Sequence, residues 1–290
     1  MKAPSRRTAL LLLFGVLLFA PRSAPAANLV PNPGFESYAS CPTGFSQLFQ
    51  ATPWFDANTG TCDAYNACSP GGFPSVNVPA NTFGFQAAHG GVGYGGLLVR
   101  NFNDYHEYLE APLTSPLVAA SSYAVEFWVS LSDTSNGAVD RLGAYLSTGP
   151  VNFGANTTLV LTPQVESPGG TYLDDTNNWM LVTGTYVAAG GEDHIVIGNF
   201  HDDANTSVEP MPGGYPGINY YVDDVRVELQ PGNVDQACCM PDGSCMLTTA
   251  GECLALGGSP GGAGTTCTPS PCGVTPARRS SWGSVKSHYR

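Results

Sequence analysis

Basic and charged residues are what this sequence has least of. Only two of its 290 residues are lysine, only 12% are charged, and the formal net charge at pH 7 is −12. A nucleic-acid-binding protein needs clustered lysine and arginine to neutralise phosphates, so that class is excluded. A coiled coil or a charged disordered chain carries about a quarter or more of charged residues, and both are excluded as well.

The sequence also lacks an apolar run long enough to span a bilayer. Its N-terminal run, residues 9–20, would be about 18 Å long as a helix, against a hydrocarbon core of about 30 Å. The run follows Arg6 and Arg7 and precedes the small residues 24–26, which is the pattern of a secretory signal peptide. We therefore predict that residues 1–26 are removed and that the protein is secreted, to the extracellular space or the cell surface. The arginine pair leaves the choice between Sec and twin-arginine export open.

Turn-forming residues are abundant instead, with 35 glycines and 24 prolines. Between them, apolar and polar side chains alternate: in residues 122–133, Phe127 and Val129 point one way and Glu126 and Trp128 the other. Further candidate strands are 97–102, 107–113, 139–148, 179–189, 193–200 and 220–229. About eight to ten short strands separated by turns predict an all-β fold, an antiparallel β-sandwich.

The composition changes near residue 232 and suggests four parts. We predict a signal peptide (1–26), a β-sandwich domain (27–232), a cysteine-rich module (233–273) and a basic tail (274–290). The tail has no sustained hydrophobic period, which is typical of a segment that is disordered on its own. The oligomeric state is not predicted.

Nine cysteines in a chain predicted to be exported indicate disulfides rather than catalytic thiols. The cysteines of the small module are Cys238, Cys239, Cys245, Cys253, Cys267 and Cys272. About forty residues cannot bury a sufficient apolar core, so about three bridges have to stabilise the module, in pairings that the sequence leaves open. In the main domain we predict Cys41–Cys68, with Cys62–Cys68 as the alternative.

Two motifs at the ends of the main domain resemble a known family. Residues 28–36 (NLVPNPGFE) resemble the opening strand, and residues 220–228 (YYVDDVRVE) the closing strand, of galactose-binding-like jelly rolls in secreted bacterial carbohydrate-binding modules. The resemblance covers residues 28–230 and implies a jelly-roll sandwich with a carbohydrate partner. Residues 237–273 (ACCMPDGSC, then GTTC) resemble a small cysteine-rich repeat attached to secreted bacterial proteins.

The same resemblance implies a structural calcium ion, which many of these modules hold near their joined chain ends. Its expected ligands are Glu36 of the GFE motif and Asp223 or Asp224 of the DDV motif. Ca²⁺ takes about six to eight oxygen ligands, and adjacent first and last strands bring these carboxylates within reach. The alternative is that they are solvated turn acids. Residues 203–209 also have the alternate spacing of a calcium loop, but lack its glycine and terminal glutamate.

The alternation further predicts an outer sheet face that binds a ligand. Its expected members are Tyr108, Glu110, Glu126, Trp128, Arg141 and Tyr145. Aromatic rings stack on the C–H faces of a pyranose, and charged side chains bind its hydroxyls, so this set points to carbohydrate. The alternative is that the rings pack under a long loop, with Arg141 paired to Glu110 or Glu126. A second candidate surface is formed by the loop residues Trp54, Phe55, Tyr65 and Tyr94, of which Trp54 is the most natural loop anchor.

The sequence contains two matches to enzyme motifs, but neither has the context that its chemistry requires, and we predict a non-catalytic protein. The GxGxxG match at residues 91–96 has no βαβ unit around it, and the GxSxG match at 257–261 has proline directly after its serine. The predicted function is a secreted carbohydrate-binding module. The alternatives are a structural or adhesive surface protein, attached through its cysteine-rich module and tail, or a glycan-acting hydrolase that uses a pair of the many carboxylates.

Overall fold

The computed structural model describes residues 27–230, 235–249, 253, 256–262 and 265–272. The predicted signal peptide and the basic tail lie outside these residues. Between residues 27 and 230, β-strands and one short 3-10 turn, Leu48–Gln50, make up the regular structure. In the described part of the chain, no helix combines the length and the apolar character that crossing a membrane requires.

Two five-stranded antiparallel sheets form the main domain. In spatial order, the first sheet contains β1 (Phe55–Asp56), β6 (Leu109–Pro112), β12 (His194–Gly198), β9 (Gly143–Ser147) and β10 (Val165–Glu166). The second contains β11 (Met180–Val187), β7 (Ser122–Leu131), β14 (Ile218–Leu229), β5 (Gly93–Arg100) and β2 (Asp63–Asn66). Two ribbons flank them: β3 (Ala80–Asn81) with β4 (Gly84–Phe85), and β8 (Gly137–Val139) with β13 (Val208–Pro210). The predicted all-β antiparallel sandwich is confirmed.

The core lies between the sheets, and the alternation in β7 explains why. Phe127 and Val129 are completely buried between the sheets, whereas Trp128 is partly exposed on the outer side. The neighbouring strand β14 follows the same rule, with Tyr220 and Val222 in the core. Each large apolar side chain buried in this way contributes about 1.5–3 kcal/mol, so the pattern that orients one strand also fixes the sheet.

The predicted opening strand, residues 28–36, is not a strand of either sheet. Its backbone nevertheless runs beside β14: Leu29 donates to the carbonyl of Val227 at 2.8 Å, and Val225 donates to the carbonyl of Pro33 at 2.9 Å. Pro33 has no N–H to continue the ladder, so the pairing stays irregular. The first and last segments are adjacent, as the resemblance implies.

Four disulfides link the described cysteines. They are Cys41–Cys68, Cys238–Cys253, Cys239–Cys272 and Cys245–Cys267. The predicted bridge of the main domain is confirmed, and Cys62 is a buried free thiol. The last three bridges cross-link a small sheet of β15 (Gln236–Cys239), β16 (Cys245–Thr248) and β17 (Ser259–Pro260), which confirms the disulfide-rich segment. Such bridges are typical of oxidising compartments.

Candidate ligand-binding pocket

An open pocket of about 570 Å³ lies on the outer face of the second sheet. Leu98 of β5 and Asn219 of β14 line it and are directly paired across the two strands. Their chain neighbours Leu97 and Tyr220 belong to the core, so Leu98 and Asn219 face away from it. Asp63, on the edge strand β2, lines the same pocket. The sheet therefore supplies a rigid floor, and loops supply the walls.

Aromatic rings form much of the pocket wall. They are Phe45, Phe73, Phe83, Tyr105 and Tyr215. Phe83 stacks on Phe45 with ring centroids 5.1 Å apart and meets Tyr215 edge-on at 5.2 Å. Phe73 is 91% exposed, and Tyr105 and Tyr215 are half-buried. Rings that neighbours hold in place while one face stays open are suited to stacking on an apolar ligand surface.

Two buried carboxyl groups lie at the pocket, and Glu107 is the more fully bonded. Its Oε1 accepts hydrogen bonds from the hydroxyl of Tyr105 at 2.8 Å and the backbone N–H of Thr61 at 3.1 Å. Its Oε2 accepts one from the backbone N–H of Leu98 at 2.8 Å. Burial raises the pKa of Glu107, and these donors act in the opposite direction.

Asp63 is the second carboxyl group. It accepts hydrogen bonds from the backbone N–H of Ser46 at 2.7 Å and the hydroxyl of Tyr65 at 3.2 Å. Burial raises the pKa of Asp63 well above its ordinary value, and the nearby charge of Glu107 raises it further. The pair therefore resists ionising together, and a neutral carboxyl group can donate as well as accept a hydrogen bond.

Two polar atoms of the lining have no hydrogen-bond partner: Nδ2 of Asn219 and Oγ1 of Thr134. Asn219 is only 2% exposed, so its amide cannot turn freely to bulk water. An unpaired buried donor costs about 1–3 kcal/mol. Nδ2 has almost no accessible surface, so a ligand oxygen in the pocket would bond to it only if neighbouring side chains moved.

The six residues predicted to share one ligand face lie on two different sheets. On or beside the first sheet are Tyr108, Glu110, Arg141 and Tyr145, and on the second are Glu126 and Trp128. The prediction of one continuous face is therefore wrong. Alternation separates inward from outward side chains within a strand, but a sandwich has two outer faces, and the period cannot tell which one a strand contributes to.

The outer face of the first sheet is covered by residues 149–162, called here the covering loop. Tyr108 is fully buried beneath it, and the backbone N–H of Leu159 donates to its hydroxyl at 3.0 Å. Glu110 is also fully buried; its Oε1 accepts from the N–H of Val151 at 2.8 Å, while its Oε2 has no partner. Burial raises the pKa of Glu110 to about 7. These two residues are therefore inaccessible to a ligand. They match the alternative considered from the sequence, in which the rings pack under a long loop.

Arg141 and Tyr145 lie at the margin of this covered face. Nη1 of Arg141 is 3.6 Å from a carboxylate oxygen of Glu166, and His201 contacts the other oxygen of the same carboxylate at 2.8 Å. The arginine thus pairs with neither of the two acids considered from the sequence. Tyr145 is half-buried, with its ring 6.3 Å from that of Phe200.

Glu126 and Trp128 do face outward from the second sheet, as their alternation predicts. The Trp128 ring stacks on His89 with centroids 4.1 Å apart and stays partly exposed. Glu126 accepts a hydrogen bond from Arg226 at 3.2 Å. Neither residue lines the pocket. Both already have protein partners, so a sugar that bound to these residues would have to share or displace those partners.

The second candidate surface proves to be structural. Trp54 is buried, stacks on Phe35 at 4.5 Å and donates through Nε1 to a backbone carbonyl, which makes it a loop anchor. Tyr65 and Tyr94 are fully buried and stack at 5.2 Å. Tyr65 still matters for the pocket because its hydroxyl binds Asp63.

The three predicted calcium ligands meet where the chain ends join. A Cβ atom added to Gly34 would lie 3.3 Å from Oδ1 of Asp224, 3.4 Å from Oδ1 of Asp223 and 3.7 Å from Cγ of Glu36. Carboxylates from the two ends of the domain are therefore neighbours, as the resemblance implies.

Backbone N–H groups hold these acids. Glu36 accepts from the N–H of Val92 at 2.8 Å, and Asp223 accepts from the N–H of His89 at 2.8 Å. Burial raises the pKa of Asp223 to about 8. Within the described residues, these acids do not bring three ligand atoms within 4.8 Å of one another. Ca²⁺ also takes backbone carbonyl and water ligands, so calcium at this corner stays a prediction.

One other group of acids and histidine does converge. Ligand atoms of Asp104, His106 and Asp203 lie within 4.8 Å of one another. Asp203 comes from the run considered as a calcium loop, but its carboxylate turns toward Asp104 and His106, while Asn205 binds Asp202 at 2.7 Å. The spacing of that run therefore does not describe a calcium loop.

The sequence interpretation missed the pocket because its lining comes from distant segments. Asp63 and Asn219 lie on strands far apart in the chain, and Tyr215 is in a loop. The one available pattern is in residues 104–107, where alternate side chains, Tyr105 and Glu107, face the pocket. Such a pattern appears in any strand and does not mark a site.

No protein-family model and no curated protein matches the chain. Among solved structures, it is similar to the CBM22-1 xylan-binding domain of Paenibacillus barcinonensis Xyn10C (12% identity, 72% of this chain, 97% of that chain, TM-score 0.37). It is also similar to TmCBM61 in complex with β-1,4-galactotriose (16%, 71% and 100%, 0.32) and to the K1 cleaved adhesin domain of Lys-gingipain from Porphyromonas gingivalis (16%, 68% and 96%, 0.35). Carbohydrate-binding modules recur among these neighbours, as the end motifs suggest, but likenesses this distant do not bear on what the chain binds.

Proposed function

We propose that the protein is a secreted, non-catalytic module that binds carbohydrate in the pocket on the outer face of its second sheet. One observation carries the proposal: open aromatic rings, led by Phe83 and Tyr215, stand beside an unpaired buried amide, that of Asn219. A pyranose offers apolar C–H faces for the rings and a fringe of hydroxyls for the polar groups. The volume is within the range of about 300–1,000 Å³ typical of small-molecule sites.

The charge of the domain favours neutral glycans. Residues 27–232 contain 20 acids against three arginines, and two of the acids, Asp63 and Glu107, are at the pocket itself. A uronic acid would bring a negative charge next to a pair of carboxyl groups that already resists ionising together, at a cost that burial increases. We expect neutral polysaccharides to bind and polyuronates to be rejected.

The bonding of the carboxyl groups supports binding rather than hydrolysis. Both oxygens of Glu107 accept hydrogen bonds from the protein, and so do both oxygens of Asp63. A general acid has to place its proton within hydrogen-bond reach of the leaving group, which these orientations do not favour. The carboxyl groups then act as fixed acceptors that orient sugar hydroxyls.

Secretion is the part of the proposal that rests on the ends of the chain. The four disulfides suit an oxidising compartment, and the N-terminal pattern suits export with cleavage after residue 26. We keep the division into a sandwich (27–232), a cysteine-rich module (233–273) and a tail (274–290) as part of the proposal. Mass spectrometry of the exported protein, which gives its first residue, tests it.

Affinity electrophoresis tests the binding. Native gels containing xylan, mixed-linkage β-glucan, galactan, mannan or polygalacturonate would be run with the wild type, Phe73→Ala and Phe49→Ala. Phe73 is exposed in the pocket, and Phe49 is an equally removable phenylalanine, 60% exposed, outside the lining. We expect retardation by at least one neutral polysaccharide, weakened in Phe73→Ala alone and without release of reducing ends. No retardation by any gel, or equal loss in both variants, would overturn the proposal.

A further inference from the structure

A compact group of three side chains lies outside the pocket: Asp104, His106 and Asp203. Nε2 of His106 is 3.4 Å from Oδ1 of Asp104 and 3.6 Å from Oδ1 of Asp203. The three atoms therefore surround a common point. Asp104 also lines a surface groove of about 560 Å³.

The histidine of this group is buried without hydrogen bonds. The His106 side chain has no exposed surface, and neither ring nitrogen has a hydrogen-bond partner. Oδ1 of Asp203, which faces it, is also buried without one. Buried polar groups in proteins are nearly always hydrogen-bonded, so an imidazole that lies beside two carboxylates without a hydrogen bond to either points to a partner of another kind.

We propose that Asp104, His106 and Asp203 bind a divalent transition-metal ion, of which Zn²⁺ is the representative. Ligands about 2.0–2.1 Å from a tetrahedral zinc ion lie about 3.3–3.4 Å from one another, close to the observed separations. The imidazole ligand distinguishes this ion from Ca²⁺ and Mg²⁺, which prefer oxygen. With three protein ligands, the fourth position is left to water.

The backbone around Asp104 directs its carboxylate to this point. Asn103 and Asp104 both have positive φ angles, 60° and 59°, which turn the chain sharply before His106. The carboxylate is then fixed by the hydroxyl of Thr158 at 2.8 Å and the N–H of Asp203 at 3.0 Å. Tyr105, between Asp104 and His106, and Glu107, which follows, line the pocket instead. The two sites are therefore distinct, and the ion does not depend on the proposed function.

Two features predict moderate rather than tight affinity. Nε of Arg100 is 3.3 Å from the same Oδ1 of Asp203, so the ion shares this oxygen with a guanidinium group. Nδ1 of His106 also lacks the hydrogen-bond acceptor that fixes most metal-bound imidazoles from behind. We expect weaker binding than at a closed four-ligand zinc site.

Metal titration of the tag-free mature chain tests the proposal. Protein freed of metal by chelator and dialysis would be titrated with Zn²⁺ by calorimetry and with Co²⁺ by visible absorption. The variants are Asp203→Asn, which keeps the shape of a partly exposed side chain, and His106→Gln. His194→Gln is the control, because His194 also contacts an aspartate, Asp193, away from the group. Circular dichroism establishes that each variant is folded.

We expect one ion per chain, a Co²⁺ spectrum that Zn²⁺ abolishes, and affinity lowered about 100-fold or more by Asp203→Asn. His106→Gln should have the same effect if it folds, and His194→Gln should bind as the wild type does. Absence of stoichiometric binding by the wild type would overturn the proposal. Binding that survives Asp203→Asn unchanged, or that His194→Gln weakens equally, would place the metal elsewhere and overturn it as well.

Discussion

The outer faces of the two sheets contain the same kinds of side chain and have opposite accessibility. On the first sheet, Tyr108 and Glu110 point outward and are completely buried by the covering loop. On the second sheet, Asn219 also points outward and is itself buried, but the aromatic rings that share its pocket leave that pocket open to solvent. An outward aromatic or acidic residue therefore becomes a ligand contact only where the loops leave it uncovered.

The two outer faces differ in the hydrogen-bond partners of their side chains as well as in exposure. Tyr108 satisfies its hydroxyl with backbone groups of the protein, Asn199 and Leu159. The amide of Asn219 has no such partner. A binding site offers hydrogen-bonding groups that the fold leaves without partners. Four predictions, from the largest expected effect to the smallest, test the assignment of the ligand site to the open face.

Removing the Tyr108 ring should damage the fold and leave binding intact. Tyr108→Ala deletes a fully buried aromatic ring, so we expect the free energy of unfolding to fall by about 3–5 kcal/mol. Urea denaturation measures it, and affinity electrophoresis of the folded fraction measures binding. A variant that keeps its stability and loses retardation would make the covered face the ligand site.

The buried acid of the covered face should make stability depend on pH. The pKa of Glu110 is about 7 when folded, above the ordinary value of 4.5, so the folded state holds its proton more tightly. The contribution of Glu110 to stability should therefore be largest below about pH 4.5 and fall by about 3 kcal/mol as pH rises through 7. Melting curves from pH 4.5 to 8 measure this.

Glu110→Gln is the matched control, because the amide cannot ionise. The variant should flatten this part of the pH profile and be the more stable protein at pH 8. Parallel profiles for variant and wild type would show that Glu110 is not protonated beneath the loop.

Removing an exposed ring from the second sheet should have a smaller effect. Trp128→Ala loses a partly exposed ring stacked on His89, and we expect destabilisation of about 1 kcal/mol or less. Retardation by polysaccharide should be unchanged. A variant that remains folded but is no longer retarded would move the sugar site to the surface around Trp128 and Glu126.

Calcium should have the smallest effect. If Glu36 and Asp223 hold Ca²⁺, adding the ion to metal-free protein should raise Tm, because a ligand that binds the native state stabilises it. The rise should be small, since both carboxylates already accept hydrogen bonds from backbone N–H groups, and an unchanged Tm would contradict the site. A rise in Tm that Glu36→Gln abolishes, but Asp203→Asn does not, would establish the calcium ion that the end motifs imply.

The sequence predicts the fold well because its period acts locally. Alternation places Phe127 inward and Trp128 outward, and both are observed. The bridge Cys41–Cys68 is predicted correctly because a domain with three cysteines has few pairings to choose from. Both inferences concern neighbouring residues or a short segment.

The site could not be predicted because it depends on which segments meet. Alternation cannot assign Tyr108 and Trp128 to different sheets, and it does not show that a loop covers one of them. The pocket combines Asp63 and Asn219, which the strand order of the second sheet brings together, with Glu107, which precedes β6 of the first sheet. That order is set by packing across the whole domain.

A matched pair of tyrosines tests the central claim most directly. Tyr215 and Tyr145 are both half-buried, one in the open pocket and one at the covered face. Affinity electrophoresis over a concentration series of the best-binding neutral polysaccharide gives the dissociation constant of Tyr215→Ala and Tyr145→Ala. The open pocket predicts affinity about tenfold or more lower for Tyr215→Ala, as losing one stacked ring costs about 1–3 kcal/mol, with Tyr145→Ala at the wild-type value. The reverse order would contradict it.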